Sequence, residues 1–91
     1  VILEFEWDEF KNKQNERKHG ISFEEAKTIF NDPYSITIND PNHSMDEARF
    51  IDIGLSINYR ILVVVYTERQ NKIRIISCRK ATVSERRIYE Q

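Results

Sequence analysis

Glycine and proline are scarce in this 91-residue chain, two of each, and there is one cysteine and only two histidines. Each shortage closes off a class of chemistry. Gly20 and Gly54 stand far apart, so no glycine-rich loop can cradle a phosphate. Cys78 alone excludes an internal disulfide and fits a reducing compartment. Cys78, His19 and His43 show no Cys-x-x-Cys or His-x-x-x-His spacing, so no metal site is expected. A serine-hydrolase elbow is likewise missing. The longest apolar run, residues 61–66, is far short of the roughly eighteen residues of a membrane span. Residues 1–20 lack the apolar stretch of a signal peptide. The expectation is a cytoplasmic protein with no cofactor and no membrane contact.

Charge is plentiful but segregated. The formal net charge is only −1, yet residues 60–91 hold eight Lys/Arg against three Asp/Glu, and residues 1–59 hold six against twelve. The two parts therefore carry +5 and −6. Most concentrated is Arg74-Ile-Ile-Ser-Cys-Arg79-Lys80-Ala-Thr-Val-Ser-Glu85-Arg86-Arg87-Ile-Tyr89, which reads as a strand running into a helix. A face polarised in this way suits a polyanion, and nucleic acid is the obvious one. With 40 % apolar and 11 % aromatic residues the chain can bury one modest core, so residues 1–91 are expected to form a single domain.

Periodicity predicts an α+β fold in the order β-α-α-(β)-β-β-β-α. A first strand, near residues 2–7, precedes a helix over 9–18 capped by Asp8 and stopped by Gly20. That helix is unusually polar, and Trp7, Phe10 and Ile21 are its expected apolar anchors. Ser22-Phe-Glu-Glu25 reads as a capping box for a second helix over 23–31, ended by Asp32-Pro33. Residues 34–39 alternate weakly, as an edge strand would. Residues 40–46 are loop by composition. Three strands follow over 48–55, 60–67 and 72–79, with links short enough for an antiparallel meander. Thr82-x-x-Glu85 is another capping box and opens the last helix. The whole is a small antiparallel sheet of three or four strands, plus the N-terminal strand, packed against helices.

With metals, nucleotide loops and serine nucleophiles set aside, the remaining equipment is cations, imidazoles, carboxylates and tyrosines. A metal-independent ribonuclease needs that set: a base for the 2′-hydroxyl, an acid for the leaving 5′-oxygen, and cations for the phosphorane. His19 and His43 suit proton transfer, and Arg49, Arg69, Arg74, Arg79 and Lys80 suit phosphate. Every one of these has an ordinary reading too. Lys18-His19-Gly20 is a normal helix end. Arg49, Arg69 and Arg74 can be solvated strand residues, and Arg86 and Arg87 can serve the helix C-terminus. Tyr89 can be packing. Cys78 reads as a small buried apolar residue rather than a nucleophile. Strict alternation puts Arg79 in the row of Ile73 and Ile75, facing the helices, whereas a β-bulge near Ser77 inverts that row.

Several segments taken together resemble one family, the BrnT ribonuclease toxins. They are Phe5-Glu-Trp7-Asp8-x-x-Lys11-Asn12-x-x-Asn15-x-x-Lys18-His19-Gly20-Ile21-Ser22-Phe23, then Phe30-x-Asp32-Pro33 and Asp46-Glu47-x-Arg49-Phe50-x-x-Ile53-Gly54. Val64-Val65-Tyr66-Thr67-Glu68-Arg69 and Arg74-Ile75-Ile76-Ser77-x-Arg79-Lys80-Ala81-Thr82-x-x-Glu85-Arg86-x-x-Tyr89 complete the pattern. The resemblance implies a RelE-like fold and a bacterial type II toxin that cleaves RNA and inhibits translation. It implies a BrnA-like antitoxin as partner, carrying the DNA-binding domain, so that the hetero-oligomeric complex binds its promoter through the antitoxin. On this footing His19, Arg49, Arg79, Lys80 and Tyr89 are the catalytic candidates, and Lys18, Arg69, Arg74, Arg86 and Arg87 the RNA-binding ones. Cys78 stands where the family pattern has Ala, and Tyr66 where it has His. The competing expectation is a non-catalytic nucleic-acid-binding or protein-interaction module.

Overall fold

Alternation in the second half of the chain becomes the middle of a five-stranded sheet. The computed structural model describes residues 3–40 and 47–91. Its strands are β1 (Glu4–Glu6), β2 (Ile36–Asn39), β3 (Arg49–Leu55), β4 (Ile61–Arg69) and β5 (Lys72–Lys80), in the spatial order β1-β5-β4-β3-β2. β2 to β5 are antiparallel neighbours, as the short links predict. The β4–β5 turn places Gln70 and Asn71 at positive φ, the two-residue geometry that matches strand twist. β1 adds to β5 in parallel, so the sheet is mixed. The helices are α1 (Glu9–His19), α2 (Phe23–Ala26), which tightens into a 3-10 helix over Lys27–Asn31, and α3 (Val83–Tyr89).

One face of the sheet carries Phe50, Asp52, Leu62, Val64, Tyr66, Ile73, Ile75 and Cys78, and the helical segments of residues 9–31 cover it. The core forms there from these strand residues with Ile21, Phe23, Ala26 and Ile29. Gly54 permits the closest approach, since a Cβ at that position would lie 3.0 Å from the Ile29 Cβ. The opposite face holds Arg49, Ile51, Ile53, Val63, Val65, Thr67, Ser77 and Arg79 by register, and it is only partly covered.

α1 does not dock as its apolar residues suggest. Phe10, an expected anchor, is exposed, and the buried residues of the helix are Asn12 and Asn15. Asn12 accepts the Phe23 N–H at 2.8 Å, and Asn15 accepts the Cys78 N–H at 3.1 Å while donating to the Ile21 carbonyl at 3.0 Å. Buried amides that satisfy backbone groups can hold a polar helix to a sheet edge where apolar side chains are few. Cys78 lies in the core, and burial pushes its thiol up to about 12, which suits packing rather than nucleophilic attack. The Ser22 signal is half realised. Its hydroxyl caps the Glu25 N–H, but the Glu25 carboxylate turns away to Ser56 and Arg60. Thr82 and Glu85 close a complete capping box at α3.

Candidate functional site

A β-bulge decides where the cations go. Val65 pairs with Ser77 but Tyr66 pairs with Ile75, so Ile76 is the extra residue of β5. The insertion inverts alternation beyond it. Cys78 therefore turns into the core, and Arg79 joins the face opposite the helices, overturning the regular-alternation reading that aligned it with Ile73 and Ile75. Thr67 pairs with both Arg49 and Arg74, so those two arginines flank it on the same face. Arg69 continues the face one alternation further along β4. Arg79, opposite Val63, is about 13 Å further along the ladder at roughly 3.3 Å per residue. Between them lie Val65, Ile51 and Ser77.

Each of three arginines is held by a carboxylate. Arg69 forms a bidentate pair with Glu47 at 2.6 and 2.9 Å, Arg74 reaches Glu6 at 3.1 Å, and Arg79 forms a bidentate pair with Glu85 at 2.7 and 2.8 Å. The Arg79 guanidinium holds the Glu85 carboxyl down at about 2, and Glu85 in return raises Arg79 further. These pairs fix the forks while leaving N–H groups for an incoming anion; Arg79 keeps its Nε–H and one Nη2 hydrogen. Beneath them Thr67 is only 2 % exposed, and its Oγ1 has no hydrogen-bond partner among the described residues. A buried hydroxyl left unpaired between Arg49 and Arg74 departs from the usual satisfaction of buried polar groups.

The bulge opens a second feature. β1 pairs only with residues 72–74 of β5, so further along the strand its outer edge faces α1. There Lys11, Arg17, Lys18 and His19 border an open groove of about 720 Å³ with Ile76 and Ser77 at its base. Lys11 and Arg17 thus join Lys18 and His19 at one place. Ser77 belongs to the open face by register, so the groove and the arginine face meet at the bulge.

Other candidates lie elsewhere. Tyr89 donates from its hydroxyl to Asp32 at 2.5 Å; burial first, and Asp32 second, push the phenol up to about 12. That bond anchors α3 to the end of the 3-10 helix. Lys80 and Arg86 border a separate cleft with Tyr59 and Arg60. Arg87 is exposed on α3. Tyr66 is buried on the helix-covered face, where its hydroxyl donates to Asp52 at 2.9 Å, so it stands apart from the arginines. Burial and the Asp52 carboxylate raise its pKa well above the ordinary phenol range. His43 and Asp46 lie outside the described residues. Among the described residues no three His, Cys, Asp or Glu side chains gather as a metal site would require. No helix of the described residues is long and apolar enough to cross a membrane.

The fold has relatives. The profile of the family described as "Ribonuclease toxin, BrnT, of type II toxin-antitoxin system" matches residues 7–85. The crystal structure of the Brucella abortus ribonuclease toxin BrnT superposes with a TM-score of 0.65 at 23 % identity, over 89 % of this chain and 99 % of that one. None of the curated proteins compared matches this sequence.

Proposed function

The chain belongs to the BrnT family of ribonuclease toxins of type II toxin–antitoxin systems, and from that premise we propose that it cleaves RNA on the open sheet face, without a metal, and so inhibits translation. The observation that carries this reading is the bulge at Ile76, which collects Arg49, Arg69, Arg74 and Arg79 on one face and joins that face to the His19 groove.

The chemistry follows from the donors. The RNA 2′-oxygen gives up its proton, attacks the adjacent phosphorus and expels the 5′-oxygen, which takes a proton; the products end in a 2′,3′-cyclic phosphate and a 5′-hydroxyl. Charge gathers on the non-bridging oxygens in the phosphorane. Fixed guanidinium forks, of which Arg69, Arg74 and Arg79 are prepositioned by carboxylates, stabilise that charge more than they stabilise the substrate. We assign Arg49 to the scissile phosphate and Arg79 to a phosphate further along the same face, with Arg69, Arg74 and Lys18 along the RNA backbone. His19 moves the proton, since imidazole is the side chain suited to both directions near neutral pH. Tyr89 serves as the bolt of α3. Lys80, Arg86 and Arg87 lie along the outgoing strand.

A type II toxin has an antitoxin partner. The proposed partner is BrnA-like and carries the DNA-binding domain, so that the cytoplasmic complex, rather than this chain alone, binds the promoter. The acidic balance of residues 1–59 favours a basic segment of that partner.

Incubating the purified chain with single-stranded RNA in excess EDTA tests the proposal. Fragments ending in cyclic phosphate, reduced at least tenfold by His19→Gln, support it. Fragments that appear only with added divalent metal overturn the metal-independent mechanism. Intact RNA, bound with a steep salt dependence, supports the non-catalytic binding module instead.

A further inference from the structure

The turn between β3 and β4 holds a residue that the fold does not need. Tyr59 adopts φ +62°, a left-handed conformation that glycine or asparagine fills without strain and an aromatic side chain fills at a cost. Its ring contributes nothing to the core, being 86 % exposed. The ring instead borders a cleft of about 310 Å³ whose floor is Leu55 and Ile61 and whose cations are Lys80 and Arg86. Arg60 also borders it, but its guanidinium is committed to the Glu25 carboxylate.

Lys80 and Arg86 differ from the carboxylate-bound arginines. Arg60, Arg69, Arg74 and Arg79 each hold a carboxylate, whereas Lys80 and Arg86 have no ion-pair partner among the described residues. They come from different elements, the end of β5 and the middle of α3, and converge on one cleft. An exposed aromatic plane beside two uncommitted cations matches one chemistry, a base to stack and a phosphate to neutralise. The cleft also adjoins the open face, on which its lining residues Leu55 and Ile61 pair with each other. Lys80 follows Arg79 directly and points the other way, so the end of β5 leads from the arginine face round to the cleft.

We infer that the cleft between the β3–β4 turn and α3 is a nucleotide subsite, in which one base of single-stranded RNA stacks on Tyr59 and its phosphate sits between Lys80 and Arg86. This rests on the ribonuclease reading above and extends it to a nucleotide beyond the scissile phosphate.

Anisotropy of a 5′-labelled single-stranded RNA decamer, in EDTA with a 2′-O-methyl ribose at every position to block cleavage, gives the affinity of each variant. Tyr59→Gly is expected to weaken binding about tenfold while leaving the thermal midpoint unchanged or higher, because glycine relieves the left-handed backbone. Tyr59→Phe retains the wild-type affinity. Arg86→Gln weakens binding and lowers the slope of log K against log salt by about one phosphate's worth. If Tyr59→Gly and Arg86→Gln bind as tightly as wild type while Arg74→Gln binds weakly, RNA occupies the sheet face alone and the subsite is overturned. If Arg74→Gln also has no effect, the sheet-face reading fails with it. A lowered midpoint in Tyr59→Gly assigns the ring a packing role and overturns the subsite as well.

Discussion

The two faces of this sheet are made from the same strands by alternate residues, yet they solve opposite problems. On the helix-covered face every buried side-chain polar atom among the described residues finds a partner: Asn12 and Asn15 hold backbone groups, and the Tyr66 hydroxyl donates to Asp52. On the open face the charged groups are half-exposed and paired side by side, and a buried threonine hydroxyl is left over. The first arrangement is what stability requires and the second is what a binding site requires. The difference teaches that the site here is not an addition to the fold. It is the other side of the core.

Four experiments press on that contrast. Deleting the extra residue Ile76 leaves Cys78 and Arg79 on their present faces. Inserting an alanine between Ser77 and Cys78 instead shifts the alternation by one, so that Cys78 leaves the core and Arg79 enters it. Burying an unpartnered guanidinium is expected to cost about 4 kcal/mol or more, enough to abolish a cooperative urea transition at 25 °C. An insertion variant that unfolds cooperatively with near-wild-type stability would mean the two faces are interchangeable at this point.

Arg49→Ala combined with Arg79→Ala is the reciprocal case. RNA cleavage is expected to fall about a thousandfold while the thermal midpoint moves by no more than about 3 °C, since half-exposed pairs contribute little to folding. Growth arrest that persists at wild-type expression sinks the assignment of these two arginines.

Glu25 and Asp52 probe the covered side with opposite signs. The Arg60 guanidinium holds the buried Glu25 carboxyl at about 2, against an ordinary 4.5. Its stabilisation is therefore present above pH 4.5 and is lost as the pH falls through about 2. Glu25→Gln should cost about 3 kcal/mol at pH 7, with the deficit shrinking on acidification in urea titrations. A deficit that is constant across that range rules out the ion pair as its source.

The smallest effect is expected at Asp52. Burial raises its pKa above 3.8, against the hydrogen bonds from Thr37 and Tyr66. Its contribution is complete below pH 3.8 and is lost as the pH rises through the raised folded value. Asp52→Asn keeps an acceptor for the Tyr66 hydroxyl and should gain about 1 kcal/mol at pH 7, a gain that vanishes at pH 3. If the asparagine variant is less stable at neutral pH, the carboxylate has a cationic partner and the covered face is not as closed as described.

Much of the architecture is legible locally. Asp8, Gly20, Ser22 and Thr82 mark helix ends through single side chains and one left-handed residue, and those signals act within a few residues. The three central strands announce themselves by alternation. α1 is where local reasoning fails, because Phe10 has the composition of an anchor and no surface to meet, while Asn12 and Asn15 bond to residues 11 and 63 positions away. The pairing of β1 with β5 is similarly remote.

The site divides the same way. Composition and order alone identify the cations, and the family pattern ranks them, since charge and motif need no geometry. The grouping of Arg49, Arg69, Arg74 and Arg79, the meeting of Lys11 and Arg17 with His19, and the separate cleft at Tyr59 follow from strand register and one bulge. Residue types are written in the chain, but a single inserted residue reverses every side chain beyond it, and whether that insertion is accepted depends on which face can bury Cys78 and which can solvate Arg79. That choice is made by packing, so only the tertiary structure decides it.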